Sequence, residues 1–109
     1  FLPDNYEEEF LRRCPGCLAV RWNPDFADIL PEGGGKPNGL AAMLKHFGWT
    51  RNEAIAFGDG GNDVAMLEYA GIGVAMGNAC DDAKAAADYV TTDIDKEGIA
   101  KALHHFGLV

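Results

Sequence analysis

With 109 residues, the chain is long enough for one small domain or for part of a larger one. Seventeen acidic against nine basic residues leave a formal charge of −8, which repels nucleic-acid phosphates and anionic lipid and sets both aside as partners. Hydrophobic residues make up 48% of the chain, enough to exclude wholesale disorder, yet no apolar run reaches membrane-spanning length and no basic-then-apolar leader is visible.

The sequence opens on Phe1 rather than Met, and the expectation is that it starts inside a longer gene product. Residues 4–13 read as a short amphipathic helix beginning after Pro3, with acidic residues early and Arg12 and Arg13 last, as the helix dipole favours. Cys14-Pro15-Gly16-Cys17 breaks it. Residues 18–22 and 26–30 are predicted strands flanking an Asn23-Pro24 turn. Pro31-Glu32-Gly33-Gly34-Gly35 is the one flexible-looking linker, and it divides residues 1–31 from residues 32–109.

After the linker the texture changes to alternating strands and helices. Leu40, Met43, Leu44 and Phe47 fall at helical spacing, and Gly48 supplies a stop. Residues 54–57 form an apolar strand, Gly58 to Gly61 a glycine-rich loop, and Asn62 or Asp63 caps a helix carrying Val64, Met66, Leu67 and Tyr69. A buried strand follows over residues 72–76, then a helix over 81–87, a brief strand over 89–91 and a last helix over 96–106. This alternation predicts an α/β fold, with a doubly wound parallel sheet.

The informative stretch runs from Ile55 to Leu67. It sets two carboxylates, Asp59 and Asp63, around the carboxyl end of a predicted strand, where open α/β sheets bind ligands. Hard oxygen donors with room for retained waters suit Mg²⁺ better than zinc, which prefers His or Cys. Asn62, between the acids, carries an amide able to donate to a phosphate oxygen. A bare Asp-Gly pair is more often an ordinary turn before a capped helix. Here the strand, three glycines, Asn, second Asp and apolar helix come in order, which favours a ligand site. Lys36 is charged unfavourably for a helix start unless it meets an anion.

The run Gly58-Asp59-Gly60-Gly61-Asn62-Asp63 followed by Met66-Leu67 resembles the fourth signature motif of haloacid dehalogenase-type phosphatases, particularly the Cof-like group with a type IIB cap. The similarity continues through residues 70–79, Lys84, residues 87–91 and Glu97-Gly98-Ile99, and upstream Lys36 resembles the third-motif lysine. It covers residues 28–109. Residues 1–27 match the tail of the inserted cap by position alone.

The resemblance implies an incomplete haloacid dehalogenase-like core over residues 32–109, behind a remnant of an α+β cap over residues 1–31. It implies that Asp59 binds Mg²⁺ directly, that Asp63 supports the ion, and that Asn62 and Lys36 hold the phosphoryl group of a small phosphorylated metabolite, with sugar phosphates first by analogy. Separately from the resemblance, the lack of a membrane-length apolar run or leader and the low cysteine count make a soluble, cytoplasmic protein the expectation.

Family members begin with a strand ending in Asp-x-Asp, whose acids serve as nucleophile and general acid/base. Asp93-Ile94-Asp95 copies the pair but is followed by Lys96-Glu97 and reads as a loop leading into the last helix. The 109 residues thus hold half an active site, and the strand ending at Asp59 is expected to need self-association or a missing N-terminal segment to complete its sheet. A non-catalytic fragment and a piece of a P-type cation pump are the rival readings. Cys14 and Cys17, with Cys80, His46, His104 and His105 the remaining soft donors, read as a helix-ending turn rather than a zinc or redox centre. Three cysteines are too few for a disulfide scaffold. His104-His105 read as a partly solvated tail, and Trp22 and Trp49 as packing residues.

Overall fold

In a computed structural model, residues 4–109 are described. Pro3, expected just ahead of the first helix, lies outside them, as do Phe1 and Leu2. Helix α1 (Asp4–Arg13) ends on Arg12 and Arg13, where positive charge meets the negative end of the dipole. Strands β1 (Cys17–Asn23) and β2 (Phe26–Pro31) form an antiparallel hairpin in register from Cys17↔Pro31 to Asn23↔Phe26. Arg21 of β1 ties the hairpin back to α1, its Nε donating to a Glu7 carboxylate oxygen at 2.7 Å. The register slips between Arg21 and Asn23, and such an irregularity re-aims the side chain at its centre, here Trp22.

Beyond the linker, helix α2 (Lys36–Phe47) carries Pro37 in its first turn, where the missing N–H costs nothing, and is closed by Gly48 as expected. Strands β3 (Ile55–Gly58), β4 (Ile72–Ala75) and β5 (Tyr89–Val90) make a separate parallel sheet in the order β3-β4-β5. Helices α3 (Val64–Tyr69), α4 (Asp81–Ala86) and α5 (Gly98–His105) supply the connections and the close. The fold is the expected α/β layer with parallel strands. Central β4 is buried along most of its length, as a strand covered on both faces must be.

The core is built of small residues. Ala56, Ala70, Ala75, Ala79 and Ala83 pack with Leu67 and Met76, while Leu40, Phe57 and Val64 lie against them partly buried. Leu67 and Val74 are the largest fully buried side chains.

One expectation needs correction. The last helix does not run unbroken from residue 96. A 3-10 turn (Ile94–Lys96) comes first, Glu97 takes a left-handed φ of 59°, and α5 begins at Gly98. The reason is tertiary: the buried Thr91 hydroxyl donates to the Gly98 carbonyl at 2.7 Å, holding that point against the sheet. The tryptophans pack against aromatic neighbours as expected, but do so at the surface. Trp22 and Trp49 stay 44% and 56% exposed, Trp22 edge-on to Phe26 and Trp49 stacked on Phe47.

Candidate active site

Strand β3 delivers the chain to Gly58, after which Asp59 and Gly60 lead into a 3-10 turn (Gly61–Asp63) that runs directly into α3. Gly58 is required by close approach. A Cβ there would sit 2.5 Å from Asp63 Cβ, so any side chain would displace the acid.

Asp63 occupies the position before α3, but its carboxylate does not cap that helix. It turns back over the loop. One oxygen accepts the backbone N–H groups of Asp59 and Gly60 at 2.9 and 3.1 Å, and the other is ion-paired with the Lys36 ammonium. The expected helix cap is therefore replaced by a loop-closing carboxylate, because two loop N–H groups and a long-range cation offer it more than α3 does. Burial works to raise its pKa, but the Lys36 ammonium and the N–H groups of Gly60 and Asp59 outweigh it. The carboxyl titrates below the ordinary aspartate range. Lys36 thus finds at the start of α2 the anion that its position calls for.

Asp59 differs in every respect. It is exposed at the strand end, and among the described residues its carboxylate has no hydrogen bond or ion pair. A cleft of about 460 Å³ joins it to Asp63 and Lys36, with Phe57, Met76 and Ile99 in its walls. Asn62 does not line this cleft. It lines a neighbouring cavity of about 320 Å³ beneath the hairpin, with Leu18, Leu30 and Pro37, and Lys36 borders both spaces. The structure therefore brings Lys36, Asp59 and Asp63 together and sets Asn62 one loop position to the side.

Among the described residues no group of three or more His, Cys, Asp or Glu side chains gathers for a metal. Asp59 and Asp63 are hard oxygen donors in one open cleft, a set that fits a magnesium ion keeping several waters and substrate oxygens. Asp59 is the acid with free lone pairs, whereas those of Asp63 already serve Lys36 and the loop.

Sequence reading did not single out Met76 and Ile99 as cleft walls, because they converge from separate segments and carry no local signal. It also missed Trp22 beside the site. The indole N–H donates to Asp28 at 2.8 Å, and its Cβ lies 3.6 Å from where a Cβ on Gly61 would stand.

A family model described as haloacid dehalogenase-like hydrolase matches residues 2–103. The chain belongs to this family. Among solved structures, the haloacid dehalogenase subclass IIB sugar phosphatase BT4131 superposes with a TM-score of 0.88 at 50% identity, over 100% of this chain and 42% of its own. Among curated relatives, the 5-amino-6-(5-phospho-D-ribitylamino)uracil phosphatase YcsE of Bacillus subtilis is 41% identical over 92% of this chain and 40% of itself. The pyridoxal phosphate phosphatase YbhA of Escherichia coli is 42% identical over 80% of this chain and 32% of itself. This haloacid dehalogenase-like chain therefore spans well under half the length of these phosphatases. No helix of its described residues is long and apolar enough to cross a membrane.

Proposed function

We propose that the protein to which this chain belongs is a magnesium-dependent, cytoplasmic phosphomonoesterase acting on small phosphorylated metabolites, sugar phosphates foremost. Within it, residues 32–109 form the metal- and phosphate-holding part of the core, and residues 1–31 form the tail of a cap. The observation that carries the reading is the division of labour between the two acids. Asp63 is buried and locked by Lys36 and two backbone N–H groups, while Asp59 stands free at the end of β3 in the same cleft. Membership of a family whose neighbours are named phosphatases gives that cleft its chemistry.

Asp59 would hold the ion, with Asp63 orienting the loop and lending its charge from behind. The ion, when bound, would offset the negative charge of the phosphoryl oxygens. Lys36 sits where its ammonium can swing between Asp63 and a phosphoryl oxygen, adding positive charge as the transition state spreads negative charge over three oxygens. Asn62 would donate from the adjoining cavity to the substrate's flank. The attacking carboxylate and the proton-transferring acid would come from an Asp-x-Asp segment outside these 109 residues. On this reading the chain alone hydrolyses nothing.

The test is Asp59→Ala in the complete protein, assayed for phosphate release from a panel of sugar phosphates with Mg²⁺. Turnover should fall by about a hundredfold or more with the circular dichroism unchanged. Calorimetric titration with Mg²⁺ alone should lose its binding heat in the same variant. Undiminished turnover would refute the assignment.

A further inference from the structure

The Cys14–Cys17 segment lies far along the chain from Asp59, and none of the proposed chemistry uses it. Pro15 and Gly16 are the two central residues of a turn, and Gly16 has a φ of 82°. Proline first and a left-handed glycine second is the signature of a type II β-turn, which glycine adopts without strain. A β-turn brings its first and fourth Cα atoms to within about 7 Å, and disulfides bridge Cα atoms about 4.4–6.8 Å apart. The two cysteines occupy those first and fourth positions. Both cysteines are unbridged and half-buried, so neither is sealed from solvent. The ends of the turn are fixed independently. The Cys14 N–H donates to the Phe10 carbonyl of α1 at 3.0 Å, and Cys17 opens β1 in register with Pro31.

We propose that Cys14 and Cys17 are a thiol-modification site that closes to a disulfide within the turn when a low-molecular-weight disulfide is the oxidant. One cysteine thiolate attacks a sulfur of the oxidant, forming a mixed disulfide and expelling one thiol. The second cysteine thiolate then attacks the protein-side sulfur, closing the Cys14–Cys17 bond and expelling the second thiol. The balance is one external disulfide reduced to two thiols, with the two cysteine thiols losing two protons and two electrons. The turn makes the second step intramolecular and fast, so the mixed disulfide does not accumulate. The site differs from a thioredoxin-type pair, which opens a helix and draws its thiolate from the helix dipole. Here the pair follows a helix and precedes a strand. The Gly16 carbonyl accepts the Glu32 N–H at 2.7 Å, so the modified turn also anchors the linker that leads to Lys36.

Trypsin cuts after Arg13 and Arg21, which places both cysteines on one peptide and leaves Cys80 on another. The complete protein is incubated with graded mixtures of reduced and oxidised glutathione, alkylated and digested. Cys14–Arg21 should pass from doubly alkylated to an unalkylated form two hydrogens lighter than the dithiol, and dithiothreitol should restore alkylation. Cys14→Ser should leave Cys17 as a stable glutathione adduct, and Cys80→Ser should change nothing. A peptide that stays doubly alkylated across the series overturns the proposal. So does one carrying glutathione at either cysteine without closing, or a disulfide that requires Cys80.

Discussion

At Gly58 a single hydrogen atom decides whether the site can form. A methyl group there would meet Asp63 Cβ at 2.5 Å and Cγ at 2.9 Å, both too near the backbone to yield cheaply. Gly58→Ala should therefore destabilise the protein by about 1–3 kcal/mol in urea unfolding. It should also cut turnover, because the displaced carboxylate releases the Asp59 and Gly60 amides. Full stability and full turnover together would show that the loop has slack the structure does not reveal. Lys36 tests the same arrangement from the other side. Lys36→Met would leave the buried Asp63 carboxylate with its two amides alone, at a cost of about 1–3 kcal/mol. Lys36→Arg should recover most of that stability but little of the turnover, since a planar fork replaces a compact point charge. Equal recovery of both would mean that the lysine acts only as a counter-ion. Lys36 and the acids were legible in the sequence as residues, from the misplaced cation and the glycine-flanked aspartates. Their pairing was not, because nothing local says that a carboxylate before a helix will ignore that helix for a lysine 27 positions away.

The elements were read from periodicity, and most stand where the pattern put them. The apolar run at residues 72–76 became the buried central strand, and Gly48 ended α2. The last helix shows what periodicity omits. Its break at Glu97 comes from a hydrogen bond made by a residue of the preceding strand region, and no repeat in residues 96–106 encodes it. A smaller device ahead of β3 is testable through pH. The Glu53 carboxylate accepts the Thr50 N–H at 2.7 Å and the Thr50 hydroxyl at 3.0 Å, closing the 3-10 turn Arg51–Glu53. The Thr50 backbone bond first and its hydroxyl second hold the Glu53 pKa below the ordinary glutamate range. The carboxylate therefore stabilises the fold fully above the unfolded-state pKa, and the contribution disappears as pH falls through the lowered folded-state value. Glu53→Gln keeps an acceptor but removes the titration. Its melting temperature should lie below that of the parent at neutral pH and converge with it in acid. A gap that stays constant with pH would show that the two bonds do not discriminate between the charged and neutral forms.

On the scale of the whole molecule, the chain is less compact than its mass allows. A folded monomer of 11.7 kDa should expose about 5,900 Å², whereas this one exposes 7083 Å². Its radius of gyration is 15.8 Å against about 13 Å for a compact domain of this length, and its extents are 48 × 33 × 19 Å. The sheet also has an open side. Strand β3 pairs with β4 on one side, and among the described residues nothing pairs with its other edge. That edge carries Ile55, Ala56 and Phe57, without the charge, proline or bulge by which exposed edges avoid pairing. From the unpaired edge and the small alanine-rich core we expect one of two outcomes for the 109 residues on their own. Either copies pair through β3, or the sheet waits for a segment from elsewhere in the protein. Sedimentation equilibrium on this chain should give a weight-average mass above 11.7 kDa that falls on dilution, and its thermal transition should be broad. Adding a synthetic peptide spanning an apolar strand that ends in Asp-x-Asp should sharpen the melt and return the mass to that of a one-to-one complex. A strict monomer at high concentration, melting cooperatively and indifferent to the peptide, would show that the β3 edge is already satisfied. The expectation that this strand needs a further partner would then be wrong.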